Sequence, residues 1–385
     1  MKRKPPATRQ RDHSPELRAL LEISRKITTE AESEGLYQTI LENAVQLTAA
    51  EGGTIYFYDE VTENLIFKFV ISPDPEVAKR LTGMSIGKGA GIVGKVAETR
   101  KTDLVADARR DPRFAKDIDR KTGFQTRSVL TVPLQFYDPD TQSQTLVGVL
   151  QLVNKKRGNF GPQDVEELEA FGGFAASLLT RAKLFERLRR QYLGTIASLA
   201  EAVDAKDPYT NGHSKRVSAY SLQLARQLGL SPAQQFNLRV SSLLHDIGKI
   251  AVPDAILQKQ GKLDAEEFAR MATHPSEGVR ILRPVRMSAE IYEGILHHHE
   301  KWAGTGYPER RQGSAIPLFA RIIAFADAFD AITTERPYKK AVSFDEARRR
   351  ILGDAGTHFD PDVAPLFCRL PVEETPAADI LENSD

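Results

Sequence analysis

Ser241-Ser-Leu-Leu-His-Asp-Ile-Gly-Lys-Ile-Ala-Val-Pro-Asp254 sets an imidazole, a carboxylate and an amine within five positions of an otherwise apolar run. Groups of this kind are costly to bury without a partner, and a metal ion is the simplest partner for the adjacent His245 and Asp246. On a helix, Asp246 and Lys249 (i, i+3) and His245 and Lys249 (i, i+4) share one face, which would set the amine over such an ion. Taken alone, the stretch also reads as a capped core helix whose polar groups are satisfied internally.

The rest of the chain supplies what the stretch lacks. Of the eight histidines, His213, His245, His274, His297, His298 and His299 all fall between positions 213 and 299. With Asp246 and Asp327 they form the donor set of a polynuclear site, since neutral imidazoles bind borderline divalent ions and a carboxylate can span two of them. Two such ions about 3.5–4 Å apart stabilise both the attacking and the leaving oxygen of an in-line displacement at phosphorus. The pattern therefore favours phosphodiester hydrolysis.

With 385 residues, 41% hydrophobic and 27% charged, the chain is long enough for two globular domains. A net charge of +1 argues against a general nucleic-acid binder. The single cysteine, Cys368, cannot form an internal disulfide and fits a reducing compartment. No long apolar run and no signal-peptide core are present, so a cytoplasmic protein is expected. The basic cluster at Lys2, Arg3, Lys4, Arg9 and Arg11 reads as a solvated terminus over residues 1–15.

From about Pro15 to Ala49 the apolar positions follow helical spacing, and Gly52 and Gly53 interrupt it. Strand-like runs follow at Thr54–Tyr58, Leu65–Val70, Ser128–Leu134 and Leu146–Val153, separated by Asp, Asn, Gly and Pro clusters. A helix-flanked antiparallel sheet is expected. The segments Gly91-Ile-Val-Gly94 with Val96-Ala97, Asp111-Pro-Arg-Phe114, Thr122-Gly-Phe-Gln-Thr-Arg-Ser128 and Gly148-Val-Leu-Gln-Leu-Val-Asn-Lys155 resemble a GAF domain over residues 16–182. The resemblance implies an α/β (α+β) small-molecule sensor whose ligand the sequence does not identify. Asn154, Lys155, Phe160 and Asp164 are similar to a signature of cyclic-nucleotide-linked GAF domains, with Val165 departing from it; a Lys155–Asp164 pair tying the last strand to the next helix is the structural reading.

Beyond Val165, residues Phe185, Leu188, Tyr192, Ile196, Leu199 and Val203 repeat at helical spacing with Arg and Lys between them. This stripe predicts a connecting signalling helix over 165–204 that pairs with its copy in a homodimer. Residues 195–370 read as all-helical, with starts at Ser231-Pro232, Asp264 and Ser343. The acidic segment 371–385 is expected to be disordered.

The helical part resembles the HD-GYP family of cyclic di-GMP phosphodiesterases through Gly212-His-Ser-Lys-Arg-Val217, His245-Asp-Ile-Gly-Lys249, His274-Pro-Ser-Glu-Gly278, His298-His-Glu-Lys-Trp-Ala-Gly-Thr-Gly-Tyr-Pro308, Ala326-Asp-Ala-Phe-Asp-Ala331, Arg336-Pro-Tyr338 and Gly356-Thr-His-Phe-Asp-Pro361. The resemblance implies a GAF sensor joined by a long helix to an all-α, metal-dependent HD-type phosphohydrolase. It implies two metal ions per chain, iron or manganese, and hydrolysis of cyclic di-GMP to pGpG or onward to GMP. One ion would be held by His213, His245, Asp246 and Asp327, and the second by His274, His298 and His299, with Asp246 bridging.

Tyr209 stands where three-metal members carry a glutamate. Lys249 would neutralise the scissile phosphate or protonate the leaving oxygen. Tyr307 would lie beside the ligand, and Arg336 and Lys339 would hold the non-reacting phosphate. His297 reads as a polar neighbour, and His358 and Asp360 as braces of the last helix. Ala303 replaces the family's usual aspartate, which predicts unpaired donors in the Gly304–Pro308 loop. That departure supports one rival, a dinucleotide receptor without catalysis; a second rival is another HD-superfamily nucleotide phosphohydrolase, against which the Tyr307 loop with Arg336 and Lys339 argues.

Overall fold

Alternation of apolar side chains along Ala50–Asp59 makes this segment, β1, the centre of a sheet covered on both faces: Ile55 enters one core cluster, and Tyr56 and Tyr58 the other. The protein is described as a computed structural model over residues 33–370, apart from 60, 117–118, 121–122, 139–141, 208–211 and 336–340. Two compact units are present, the first ending at Leu188 and the second beginning at Arg189. The expected terminal segments 1–15 and 371–385, and Tyr209, Arg336 and Lys339, lie outside the described residues.

In the first unit, α1 (Ser33–Leu47) precedes β1, and β2 (Asn64–Ile71), α2 (Pro75–Leu81), β3 (Ser85–Gly87), α3 (Gly91–Thr99), β4 (Asp103–Val105), β5 (Val129–Asp138) and β6 (Ser143–Lys155) follow. The strands form one antiparallel sheet in the order β3-β2-β1-β6-β5-β4. Leu36, Ile40 and Ala44 of α1 pack with Leu130, Leu150 and Leu152 on one face; Val77, Val93 and Val96 of α2 and α3 cover Tyr56 and Phe67 on the other. Each such aliphatic side chain contributes about 1.5–3 kcal/mol on full burial. Gly52 and Gly53 do not separate helix from strand as expected, because they lie within β1. A Cβ at Gly52 would meet the Ile71 carbonyl at 2.6 Å, so the close approach of β2 requires glycine there.

Lys155 Nζ bonds both Asp164 oxygens, at 2.6 and 2.7 Å, tying β6 to the start of α4 (Pro162–Lys206). Asn154 adopts φ 54° and its side chain bonds Arg127, Glu51 and Gln125. These signature residues therefore hold backbone in place.

The second unit continues from the end of α4 through α5 (His213–Gln227), α6 (Pro232–Leu244), α7 (Asp254–Leu257), α8 (Ala265–Met271), α9 (His274–Leu282), α10 (Ala289–His297), α11 (Leu318–Thr333), α12 (Phe344–Gly353) and α13 (Ala364–Cys368). One core joins Val217 and Leu224 of α5 to Phe325 and Phe329 of α11 and Phe367 of α13. A second joins α4, α6 and α10 through Ile196, Val203, Leu243 and Ile295.

The apolar stripe of α4 is thus not one continuous seam. Ile196 and Val203 are buried in the unit's own core and Tyr192 packs against Phe236, while Phe185 and Leu188 remain 61% and 64% exposed. Among the described residues, no helix is long and apolar enough to cross a membrane.

Candidate metal centre

The clustered histidines and aspartates sit at or near helix ends. α5 begins at His213 behind Gly212, whose φ of 69° turns the chain into the helix. Asp204 caps that start by accepting the Ser214 N–H and hydroxyl at 3.1 and 2.8 Å. α6 starts with a capping box at Ser231 and Gln234 and stops at Leu244, so His245 and Asp246 lie just beyond it. The expected continuous helix through Lys249 is absent; residues 247–251 form a 3-10 turn. In that geometry positions i and i+3 eclipse, which lays Lys249 over Asp246, with Nζ 2.7 Å from Oδ2, and drops the expected i, i+4 relation to His245. Gly248 lets this turn reach α9, since a Cβ there would collide with the His274 carbonyl oxygen. His298 and His299 follow the end of α10, and Asp327 and Asp330 lie on α11.

Four Nδ1 atoms face acceptors: His213 faces Asp330 Oδ2 at 2.7 Å, His245 the Ser242 carbonyl at 2.7 Å, His274 that of Met271 at 2.9 Å and His298 that of Ile295 at 2.6 Å. A carbonyl or carboxylate only accepts, so each Nδ1 carries the proton and each Nε2 presents a lone pair. These lone pairs converge on Asp246. Its Oδ2 is 3.5 Å from His245 Nε2 and 3.8 Å from His213 Nε2, and its Oδ1 is 3.2 Å from His274 Nε2.

Two candidate donor groups result, His213–His245–Asp246 and Asp246–His274–His298–His299, with Asp246 common to both. Asp327 Oδ1 stands 3.4 Å from His213 Nε2. The residues fit divalent ions. His245 Nε2 is buried without a hydrogen-bond partner, and His274 Nε2 lies 3.4 Å from His298 Nε2, the separation of two nitrogens about 2.1 Å from one tetrahedral ion.

Burial pushes His245 down to about 4 and His298 down to about 3. His299 is held well below its ordinary value by burial and by the neighbouring His298 and His274. Burial opposes the charge of Asp246, but Lys249, His245 and His274 outweigh it and keep the carboxyl well below its usual range. Neutral imidazoles around an ionised carboxylate are the protonation states that metal binding requires. His213 differs: burial lowers it, and the Asp330 bond with Asp327 and Asp246 raises it above its ordinary value. Burial also opposes the Lys249 ammonium, and Asp246, Asp207 and Asp327 overcome this and raise it.

Tyr307 lies against His299, ring centroids 4.8 Å apart, and meets the exposed Phe268 edge-on. Within the Gly304–Pro308 loop, the Gly304 and Tyr307 N–H groups are paired, the latter with the His299 carbonyl at 3.3 Å. The Ala303 N–H donates to Thr357 at 2.9 Å, the Gly304 N–H to Lys301 at 2.7 Å and the Trp302 N–H to His358 at 3.0 Å. His297 is 1% exposed, with its ring 3.7 Å from Glu300 and 4.0 Å from Glu309. Asp360 accepts the Asp362 N–H at 2.9 Å and pairs with Arg321, bracing the turn before α13. Sequence reasoning passed over Asp330, which orients His213 and pairs with Arg216; its signal was its place three residues after Asp327.

Residues 32–179 match the GAF domain and residues 197–363 the HD domain. A 3'3'-cGAMP-specific phosphodiesterase of Vibrio cholerae is 41% identical over 182 residues, covering 47% of this chain and 35% of the relative. A cyclic di-GMP phosphodiesterase of Pseudomonas aeruginosa is 46% identical over 164 residues, covering 42% and 39%. A cyclic di-GMP phosphodiesterase response regulator of Xanthomonas campestris is 41% identical over 180 residues, covering 46% and 47%. The chain thus spans less than half the length of these relatives. It carries a GAF domain followed by an HD domain, and the HD domain holds the histidine–aspartate centre.

Proposed function

We propose that the chain is a metal-dependent phosphodiesterase that opens cyclic di-GMP to pGpG, regulated by its GAF domain. The observation that carries this reading is the convergence of histidine Nε2 atoms on both oxygens of Asp246. His213, His245, Asp246 and Asp327 would hold one ion, and His274, His298 and His299 the other, with Asp246 shared. Iron or manganese is the metal we assign. When bound, the ion pair supplies Lewis-acid stabilisation of displacement at phosphorus and lowers the pKa of an attacking water.

The chain's own residues do the rest. Asp246 orients the donor set, and Lys249, whose ammonium is raised rather than lowered, supports phosphate neutralisation over proton donation. Tyr307 offers a ring face beside His299. Arg336 and Lys339 are assigned to the second phosphate by the motif that carries them; Arg336 offers a bidentate fork and Lys339 a point charge.

The GAF domain supplies the regulatory half. Its cavity of about 310 Å³ is lined by Tyr56, Phe67, Val70, Leu81, Met84 and Gln151 among others, and no lysine, arginine or histidine lines it among the described residues. Its Asp119 carboxylate accepts the Thr126 N–H and hydroxyl at 2.8 and 2.7 Å. The largely aromatic and aliphatic lining supports an uncharged, largely apolar ligand, which we assign to the cavity. The exposed Leu184, Phe185 and Leu188 on α4 support a homodimer through that helix, and we place the protein in the cytoplasm.

Product chromatography tests the reading. The full chain, loaded anaerobically with Mn(II) or Fe(II), is incubated with cyclic di-GMP, 3'3'-cGAMP and cyclic mononucleotides, and pGpG is expected from the first. Cleavage of mononucleotides with both dinucleotides inert would place the chain elsewhere in the HD superfamily. Binding without product under either metal would make it a receptor.

A further inference from the structure

The last turn of α4 ends on the metal centre. Lys206 Nζ donates to three backbone carbonyls of one short segment, Lys249 at 3.2 Å, Ile250 at 3.0 Å and Val252 at 2.8 Å, and lies 3.3 Å from Asp254 Oδ1. An ammonium has three donors, so these carbonyls take its full complement. The Lys206 carbonyl in turn accepts from Gln258 Nε2 at 3.4 Å. The carbonyls Lys206 engages lie at the C-terminal end of the 3-10 turn, where the exposed negative ends of peptide dipoles favour a cation. One of them belongs to Lys249 itself and also accepts the Val252 N–H at 3.1 Å.

Two neighbours of Lys206, Asp204 on α4 and Asp207 just past its end, reach the same site. Asp207 Oδ2 stands 3.6 Å from Lys249 Nζ. Asp204 holds the backbone and hydroxyl of Ser214, the residue after His213. Both ends of the centre, His213 and the Asp246–Lys249 turn, are therefore fastened to the end of α4, through Asp204 and Lys206 in its last turn and Asp207 just beyond it. That helix also contributes Leu168, Phe171 and Leu179 to the core of the first unit.

We infer that Lys206 is a positioning residue for Lys249: by clamping the 247–252 backbone to the end of α4, it sets where the Lys249 ammonium meets the substrate phosphate. The inference rests on the phosphodiesterase reading and adds a regulatory consequence. A change at the end of α4 would then reach the Lys249 ammonium through the 247–252 backbone.

A double-mutant cycle on the full chain tests this. Wild type, Lys206→Met, Lys249→Met and the double variant are loaded with Mn(II), and kcat and KM for cyclic di-GMP are measured with bound metal and melting temperature. Lys206→Met is expected to lower kcat about tenfold with two metals retained. In the Lys249→Met background it should add less than a twofold loss, because residues acting through one another are non-additive. Lys206→Arg, which keeps a cation and several donors, should restore most of the rate.

Equal losses in both backgrounds, or no loss in the single variant, would overturn the inference. If Lys206→Met unfolds, Lys206→Gln enters the same cycle. If wild type shows no turnover, the phosphodiesterase reading has failed; the cycle is then read from cyclic di-GMP affinity by calorimetry, where additivity again refutes the clamp.

Discussion

Asp330 shows how one side chain beyond the donor set organises the centre. Buried at 1% exposure, it receives the His213 Nδ1 proton and pairs with Arg216, which together hold its carboxyl below the usual range although burial opposes the charge. Removing an outer-shell partner of a metal-bound histidine typically costs 10–100-fold in affinity. Asp330→Asn is expected to weaken metal binding by about that factor, read by anaerobic titration with Mn(II); unchanged affinity would show that His213 needs no such support. The buried imidazoles also fix a pH dependence. His245 titrates near 4 in the fold against 6.5 when free, and His298 near 3, so the unfolded chain binds more protons between those values. Stability of the metal-free protein should therefore fall as pH drops from about 6.5 towards 4. His213, raised by its carboxylates, works in the opposite sense and loses its contribution as pH rises through its folded value. Urea midpoints measured across this range test the balance, and a flat profile would contradict it. The clustering of histidines around Asp246 was legible in the sequence because histidines are scarce; the part of Asp330 was not, because a carboxylate that orients a histidine reads like any helix-surface aspartate.

Helix ends, more than helices, make this site, and that is where sequence reading was weakest. The starts of α6, α8 and α12 were legible because Ser231, Asp264 and Ser343 carry capping chemistry. The stop of α6 at Leu244 was not, since nothing in Ser241–Lys249 breaks helical periodicity; tertiary packing of the 3-10 turn decides it. Gly248 is the residue that permits that packing. Gly248→Ala forces a methyl into the His274 carbonyl and should cost about 1–3 kcal/mol or more by overpacking, measured as a lower unfolding midpoint. Wild-type stability would mean the turn can withdraw from α9 without loss. At the loop after His299, Ala303 looked like a missing anchor, yet its own N–H and that of Trp302 pair with the Thr357 and His358 carbonyls, and the Gly304 N–H with that of Lys301.

At the scale of the whole molecule, the antiparallel sheet of the GAF domain and the helical HD domain were legible from period-two and period-3.6 patterning. The stripe on α4 was misread as one seam because sequence spacing alone cannot tell which apolar residues a domain keeps for its own core. Ile196 and Val203 are so kept; Leu184, Phe185 and Leu188 stay exposed. Phe185→Glu with Leu188→Glu is expected to convert a dimer to a monomer by light scattering while the helical content holds, and a dimer that survives both charges would move the interface elsewhere. Phosphodiester cleavage at the paired metal site is the proposed activity on which the role of each of these residues depends. The most direct measurement adds Mn(II) stepwise and anaerobically to the metal-stripped chain, reading bound metal and pGpG formed from cyclic di-GMP at each step. Activity rising as the second equivalent binds is the result predicted; two equivalents bound with no dinucleotide cleaved, or full activity at one, would contradict it.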